Sequence, residues 1–157
     1  MRSTRLYVDT SVFGGCFDPE FEQASRQLFE EVRQGKHLLL VSETTAAELV
    51  RSPDPVRELV EGLAPECVER VVIAEEMVAL QEAYLAAGVV GEKWRDDALH
   101  VAAATVARAE VLVSWNFRHL VNLHKARSYN AVNLTHGYPM LTIVSPLEVV
   151  TYDDEDI

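Results

Sequence analysis

Cysteine is nearly absent: Cys16 and Cys67 lie far apart, and neither has a partner at CxxC or Cys/His spacing. That excludes a disulfide framework and a thiolate zinc site, and reads as incidental thiols in a reducing compartment. Also missing is any apolar run approaching the roughly eighteen residues of a membrane-spanning helix. Asp9, Thr10 and Ser11 interrupt the N-terminal apolar stretch before a signal-peptide core forms. The expectation is therefore a cytoplasmic protein with no membrane partner. Positive charge is scarce too, with 14 Lys and Arg against 25 Asp and Glu and a net charge of -11. On its face this opposes a polyanionic partner, since nucleic-acid binding begins with a basic footprint. The shortage is uneven, however. From Val111 to Leu147 there is no Asp or Glu, while Arg118, His119, His124, Lys125, Arg127 and His136 all fall there. At the other extreme, Asp153, Asp154, Glu155 and Asp156 make residues 151–157 an acidic tail, read as solvated and without function.

What remains is an ordinary globular composition, 48% hydrophobic and 25% charged over 157 residues. That suits one cored domain, here placed at residues 1–150, and is too short for two. Arg5-Leu6-Tyr7-Val8 is a β-prone run stopped by Asp9-Thr10-Ser11 and then Gly14-Gly15. After Pro19, Phe21, Ser25, Leu28, Phe29 and Val32 recur at helical spacing, closed by Gly35. Leu38–Val41 makes a second strand, and Ser42 to Thr45 supply capping candidates for a helix holding Glu48. Pro53 and Pro55 break that helix before a short amphipathic one bearing Val56, Leu59, Val60 and Leu63. Val71–Ile73 is a third strand candidate, and Glu75–Ala87 is helical with Met77, Leu80 and Tyr84 on one stripe before Gly88. A helix over Asp96–Arg108 is apolar nearly all round and hence buried. Val111–Val113 and Leu141–Val144 complete five strands, and Pro146 opens a last short helix.

Strand and helix thus alternate, and the strands are continuous apolar runs. This predicts an α/β fold of three layers, a mainly parallel five-stranded sheet flanked by helices on both faces. In such sheets ligands bind beyond the carboxyl ends of the strands. Asp9 ends the first strand, Glu48 lies on the helix after the second, Asp97 opens the buried helix, and Asn116 follows the fourth strand. Carboxylates gathered at one site repel one another, so their grouping calls for a cation. A hard divalent metal such as Mg²⁺ suits oxygen donors and leaves room for a phosphate-bearing substrate.

Four segments carry a resemblance. Tyr7-Val8-Asp9-Thr10-Ser11-Val12-Phe13, Ala47-Glu48-Leu49, Asp97-Ala98-Leu99-His100-Val101-Ala102 and Val113-Ser114-Trp115-Asn116-Phe117-Arg118-His119-Leu120 resemble, in order and spacing, the successive motifs of PIN domains, and most of all those of the VapC toxins. The resemblance spans nearly the whole chain, and the set is specific where any one segment is not. It implies a PIN-like fold and an endoribonuclease dependent on Mg²⁺ or Mn²⁺. It also implies a homodimer and a small antitoxin that inserts near the active site. Carried over by position, Asp9, Glu48 and Asp97 match the metal-binding acids, and Asn116 stands where many members have a fourth acid. An Asn carbonyl can coordinate a metal but adds no charge, so one tight metal is expected rather than two. Thr10 and Ser11 fall where the family places hydroxyls near the site.

Each residue has a plainer reading. Asp9 and Asn116 could simply end strands, and Glu48 could be a solvated helix residue. Asp96 and Asp97 both suit a helix N-terminus, where the dipole favours acids; only the motif selects Asp97 and leaves Asp96 as the cap. His100 is expected to make a structural hydrogen bond rather than bind metal, and Trp115 to pack rather than stack on a base. Arg118, Lys125 and Arg127 are candidate RNA contacts, or simply solvated cations. Two rival functions follow. A phosphatase or dehalogenase with Asp9 as nucleophile wants a second acid two residues on, where Ser11 stands. A PIN-like module that binds RNA or protein without cutting remains the alternative.

Overall fold

The computed structural model describes residues 3–152; the acidic run from Asp153 to Asp156 lies outside them. Five strands are linked by helices, β1 (Thr4–Val8), α1 (Thr10–Gly15), α2 (Glu22–Arg33), β2 (His37–Ser42), α3 (Glu43–Val50) and α4 (Asp54–Glu61) forming the first half. The second half runs β3 (Val68–Val71), α5 (Glu75–Ala86), α6 (Arg95–Val106), β4 (Val111–Val113), α7 (Leu123–Thr135), β5 (Thr142–Val144) and α8 (Pro146–Val149). All four strand pairings are parallel, in the order β3-β2-β1-β4-β5. The expected α/β sheet is therefore present, and wholly rather than mainly parallel.

Side chains alternate across a pleated strand, and that alternation builds two cores. Tyr7, Leu40 and Leu112 face a cluster shared with α5, α6 and α7. Leu6, Val8, Leu39, Val41 and Val113 face a second cluster with α1, α2, α3 and α4. With helices on both faces, the middle of each inner strand is covered on both sides, which is why the strand runs read as continuously apolar. The order of strand addition reverses at β1: β2 and β3 are added on one side of it, and β4 and β5 on the other. The crevice at such a switch point lies between the carboxyl ends of β1 and β4, where Asp9 and Ser114 stand.

The structure corrects several sequence expectations. Residues after β1, given no element from sequence, wind into α1, with the Asp9 side chain capping it by accepting from the Ser11 N–H. The third strand lies earlier than expected, at Val68–Val71, and Val72 beyond it is 68% exposed. The buried helix starts one residue earlier, so its cap position is Trp94 and Asp96 sits inside the first turn. Residues 123–135, unassigned from sequence, form the 13-residue α7. Gly35 and Gly88 follow α2 and α5 at positive φ of 82° and 74°, the left-handed C′ position that favours glycine.

Candidate metal centre

The site is built at the switch point from two hydrogen-bond chains. Asp9, only 6% exposed, is held from three sides. Its Oδ1 accepts from the Ser11 backbone N–H at 3.1 Å and the Ser11 hydroxyl at 2.6 Å. Its Oδ2 accepts from the Ser114 hydroxyl at 2.6 Å. Ser114 in turn accepts from the Asn116 N–H at 2.9 Å, and Ser11 Oγ accepts from the Trp115 N–H at 2.9 Å. The end of β4 is thereby pinned to the start of α1.

The second chain crosses the sheet. Tyr7, fully buried on β1, has its hydroxyl 2.6 Å from Ser42 Oγ and 2.7 Å from His100 Nδ1. His100 Nε2 is 3.0 Å from Glu48 Oε1, and the Thr10 hydroxyl donates to Glu48 Oε2. Ser42 also caps α3, accepting from the Thr45 N–H at 3.2 Å, so the helix that carries Glu48 is anchored by the network that orients it.

These contacts bring Asp9, Glu48 and Asp97 into one electrostatic cluster. Burial raises the Asp9 carboxyl, opposed by His100 and by the Ser11 and Ser114 hydrogen bonds, with Glu48 pushing it further up. Burial also raises Asp97, to about 6, opposed by His100 and reinforced by Asp9, Glu48 and Asp96. Burial pulls His100 down, but Tyr7 and Glu48 outweigh it and hold the imidazole up at about 10. Glu48 stays low: burial raises it, while His100 and Thr10 more than compensate. The upward direction for His100 favours its charged form, which carries an N–H toward both the Tyr7 hydroxyl and Glu48. A single histidine thus faces three carboxyl groups, and among the described residues the Asp97 side chain makes neither a hydrogen bond nor an ion pair.

The donor set suits a hard cation by chemistry, since each of the three acids offers oxygen and His100 compensates their mutual repulsion only in part, leaving Asp9 and Asp97 raised. Among the described residues, however, no three His, Cys, Asp or Glu side chains are gathered closely as a ligand shell. In this arrangement Asp9 and Glu48 are directed at hydroxyls and at His100 instead. The Asn116 side chain is engaged elsewhere: its Oδ1 accepts from the Arg118 N–H at 3.2 Å and the His119 N–H at 2.9 Å, an Asx turn that shapes the loop after β4. Arg118 and Arg127 are exposed, while Lys125 donates its ammonium to the Val89 carbonyl. Trp115 is buried, stacked on Phe21 at 4.3 Å with its Nε1–H donated to Ser25 at 2.8 Å, so its structural role is packing.

Sequence reasoning did not single out Tyr7, Ser42 or Ser114 as site residues. Tyr7 offered a signal, a phenol in an otherwise aliphatic strand interior. The two serines offered little, because small polar residues end strands everywhere.

No family model matches the sequence, and no curated protein matches it either. Solved structures do. The crystal structure of VapBC2 from Rickettsia felis bound to a DNA fragment from their promoter contains a chain matching 90% of this one and 98% of itself, at 12% identity and a TM-score of 0.54. The structure of FitAB bound to an IR36 DNA fragment matches 94% of this chain and 99% of its own, also at 12% identity and 0.54. At that identity the likeness is one of backbone architecture, and it is nearly end to end: the fold of this chain is a VapC-like PIN fold.

Proposed function

We propose that this protein is a metal-dependent endoribonuclease, acting as the toxin of a toxin–antitoxin pair, with Mg²⁺ or Mn²⁺ held by Asp9, Glu48 and Asp97. The observation that carries the proposal is Asp97. Its carboxyl is pushed up to about 6 by burial and by Asp9, Glu48 and Asp96, which together outweigh the opposing charge of His100, and among the described residues it has no hydrogen bond or ion pair. Clusters of this kind mark functional sites, and a divalent cation supplies the missing charge. When bound, it provides Lewis acidity at a phosphoryl oxygen and makes water a stronger nucleophile at neutral pH.

The chain's own residues prepare that site. Ser11 and Ser114 fix the Asp9 carboxylate. His100, held by Tyr7, orients Glu48 together with Thr10. Arg118 and Arg127 offer exposed cations to the RNA backbone in the acid-free stretch; Lys125 joins them only by releasing Val89. Asn116 acts through the turn it stabilises, or as a neutral ligand after that turn opens. A small antitoxin docking near the site and a homodimer are part of the same proposal.

The test is incubation of the purified protein with a mixed cellular RNA pool in EDTA, Mg²⁺ or Mn²⁺, beside Asp9→Asn and Asp97→Asn variants shown to be folded by circular dichroism. Cutting that needs the metal and disappears in both variants is the expected result. The second reading, a binding module that does not cut, draws on the acids being directed at hydroxyls and on Asn116 being committed to a turn. RNA binding without cleavage under either metal would establish it.

A further inference from the structure

Two phenols lie side by side in the core between α5, α6 and α7, and only one of them is satisfied. Tyr84 and Tyr129 are both fully buried, with their rings edge to face at 5.0 Å and 87°. The Tyr84 hydroxyl donates to Asn133 Oδ1. The Tyr129 hydroxyl has no hydrogen-bond partner among the described residues. Buried phenols usually find a partner, and a polar group left without one costs free energy. The proposed chemistry uses Asp97, whose side chain also has no hydrogen bond, but it gives Tyr129 no role.

The two helices aim one group at the other. α6 and α7 run alongside in the same direction. At their starts His119, just before α7, stacks on Trp94, the cap of α6, at 4.1 Å. Toward their ends Asn133 donates its amide to Thr105 Oγ1 at 3.2 Å. Asp97, Val101 and Thr105 follow one another at helical i, i+4 spacing on α6, as do Tyr129 and Asn133 on α7, so each set lies along one face. With Asn133 at Thr105, Tyr129 stands one turn back, level with Val101, which shares its core cluster. A helical side chain leans toward the N-terminus of its own helix. From that level the Tyr129 side chain extends toward the turn that holds Asp97. The charges agree with this placement: burial raises the phenol most, and Asp97 comes next, ahead of Tyr84. The hydroxyl therefore keeps its proton and faces the carboxyl as a donor. Where such groups lie beyond direct hydrogen-bond reach, one water joins them at nearly the enthalpy of a direct bond.

Building on the metal-site reading, we propose that Tyr129 is a positioning residue for Asp97, its hydroxyl donating through one water to the carboxylate and fixing which oxygen that side chain turns toward the cation. His100 and Thr10 hold Glu48, and Ser11 and Ser114 hold Asp9. Tyr129 holds the third acid.

The experiment is a double-mutant cycle on the full-length, metal-free protein. Tyr129→Phe keeps the ring and loses only the hydroxyl, and Asp97→Ala removes the carboxyl. Urea unfolding of the wild type, both single variants and the double variant gives their coupling. Groups joined through a shared water should be non-additive by about twofold or more in the unfolding constant. Tyr84→Phe, which removes a hydroxyl bonded to Asn133 instead, should be additive with Asp97→Ala. Mn²⁺ binding, read by electron paramagnetic resonance of the free ion, is the second arm. Tyr129→Phe should weaken it by roughly 10- to 100-fold, as loss of a ligand's hydrogen-bond partner does, and Tyr84→Phe should leave it unchanged. Additivity of Tyr129→Phe with Asp97→Ala would overturn the proposal, and so would a Tyr129→Phe variant that binds Mn²⁺ as tightly as a binding wild type. Coupling in a wild type that takes up no Mn²⁺ would keep Tyr129 on Asp97 and remove the metal reading alone.

Discussion

Two glutamate–histidine pairs, each with Nε2 and Oε1 3.0 Å apart, sit in different surroundings, one buried at both side chains and the other with Glu48 31% exposed. Glu31 and His37 lie on α2 and at the start of β2, with side chains 4% and 9% exposed. Glu31 is completed by the Thr151 N–H at 2.9 Å, the Thr151 hydroxyl at 3.3 Å and the Gln27 amide at 3.3 Å. No second acid is among the groups that shift it, and its carboxyl is held low: burial pushes up, while Thr151 and His37 prevail. Glu48 and His100 have the same contact, but Asp9 and Asp97 crowd them, and both of those carboxyls are pushed up. The first pair is a clasp that fastens the segment at Thr151 to α2, with both Glu31 oxygens hydrogen-bonded although His37 Nδ1 is left without a partner among the described residues. The second is electrically incomplete, and that incompleteness is what separates a candidate reaction site from a structural pair.

The comparison breaks most visibly at Glu31. Removing one partner of a buried, hydrogen-bonded pair leaves the others unpaired and costs about 3–5 kcal/mol. Glu31→Ala should lose that much stability in urea unfolding, while the folded fraction keeps whatever RNA cleavage the wild type has. Asp97→Asn should do the reverse. Cleavage should fall by more than the roughly 10–100-fold typical of outer-shell partners of a metal, with stability unchanged or raised because a repelled charge is gone. Equal effects of the two substitutions on both readouts would erase the distinction.

Acid titration should separate the two regions by sign. A raised carboxyl holds a proton in the folded state that the unfolded chain has lost. Asp97 therefore contributes destabilisation that grows as pH rises from 3.8 through about 6, and Asp9 acts in the same direction. Glu31 is depressed below 4.5, so its contribution is present above that pH and is lost as pH falls through the folded value. Thermal melts of metal-free protein should show both limbs. Asp97→Asn should flatten the limb between about pH 4 and 6, saturating Mg²⁺ should oppose it, and Glu31→Gln should reduce only the acid limb. A metal-free melting curve that rises steadily from pH 4 to 6 would contradict this assignment.

How much of this was legible beforehand depended on whether burial and polarity agreed. β1, β2 and β4 were readable because both faces of the sheet are covered and each strand carries a continuous apolar run, Leu6–Val8, Leu38–Val41 and Val111–Val113. Asp9 was readable because it ends β1 and Glu48 because it lies on the helix after β2, whereas Asp97, inside α6, was selected over Asp96 by the motif alone. α7 was not, because its buried face is partly polar. Asn130 is buried and bonds both the N–H and C=O of Leu141, and Asn133 is buried against Tyr84 and Thr105. A helix that packs amides inward has no apolar stripe to detect. α1 was hidden for another reason, being six residues long with two glycines. One of those is required: a Cβ on Gly15 would lie 2.5 Å from Ser25 Oγ and 2.7 Å from Trp115 Nε1. Gly15→Ala should accordingly cost about 1–3 kcal/mol by overpacking, read by urea unfolding, and should disturb the Trp115 fluorescence more than either glutamate substitution does.

The smallest effect belongs to a third glutamate, on the exposed side of the same comparison. Glu69 on β3 accepts both Arg5 guanidinium nitrogens at 2.8 and 2.9 Å, with side chains 30% and 42% exposed for Arg5 and Glu69. Water and salt screen such a pair, so Glu69→Gln should cost only about 0.2–1 kcal/mol despite its two-point geometry, and less at high salt. Arg5→Ala should cost more than Glu69→Gln, because Arg5 also donates to the Ala107 carbonyl at 3.0 Å and the Arg108 carbonyl at 3.3 Å. Those carbonyls belong to the turn in which Arg108 holds a left-handed φ of 63°, a conformation unfavourable for a side chain. Urea unfolding of both variants at low and high salt measures the difference. If Glu69→Gln instead matched Glu31→Ala, burial would not be what ranks these carboxylates.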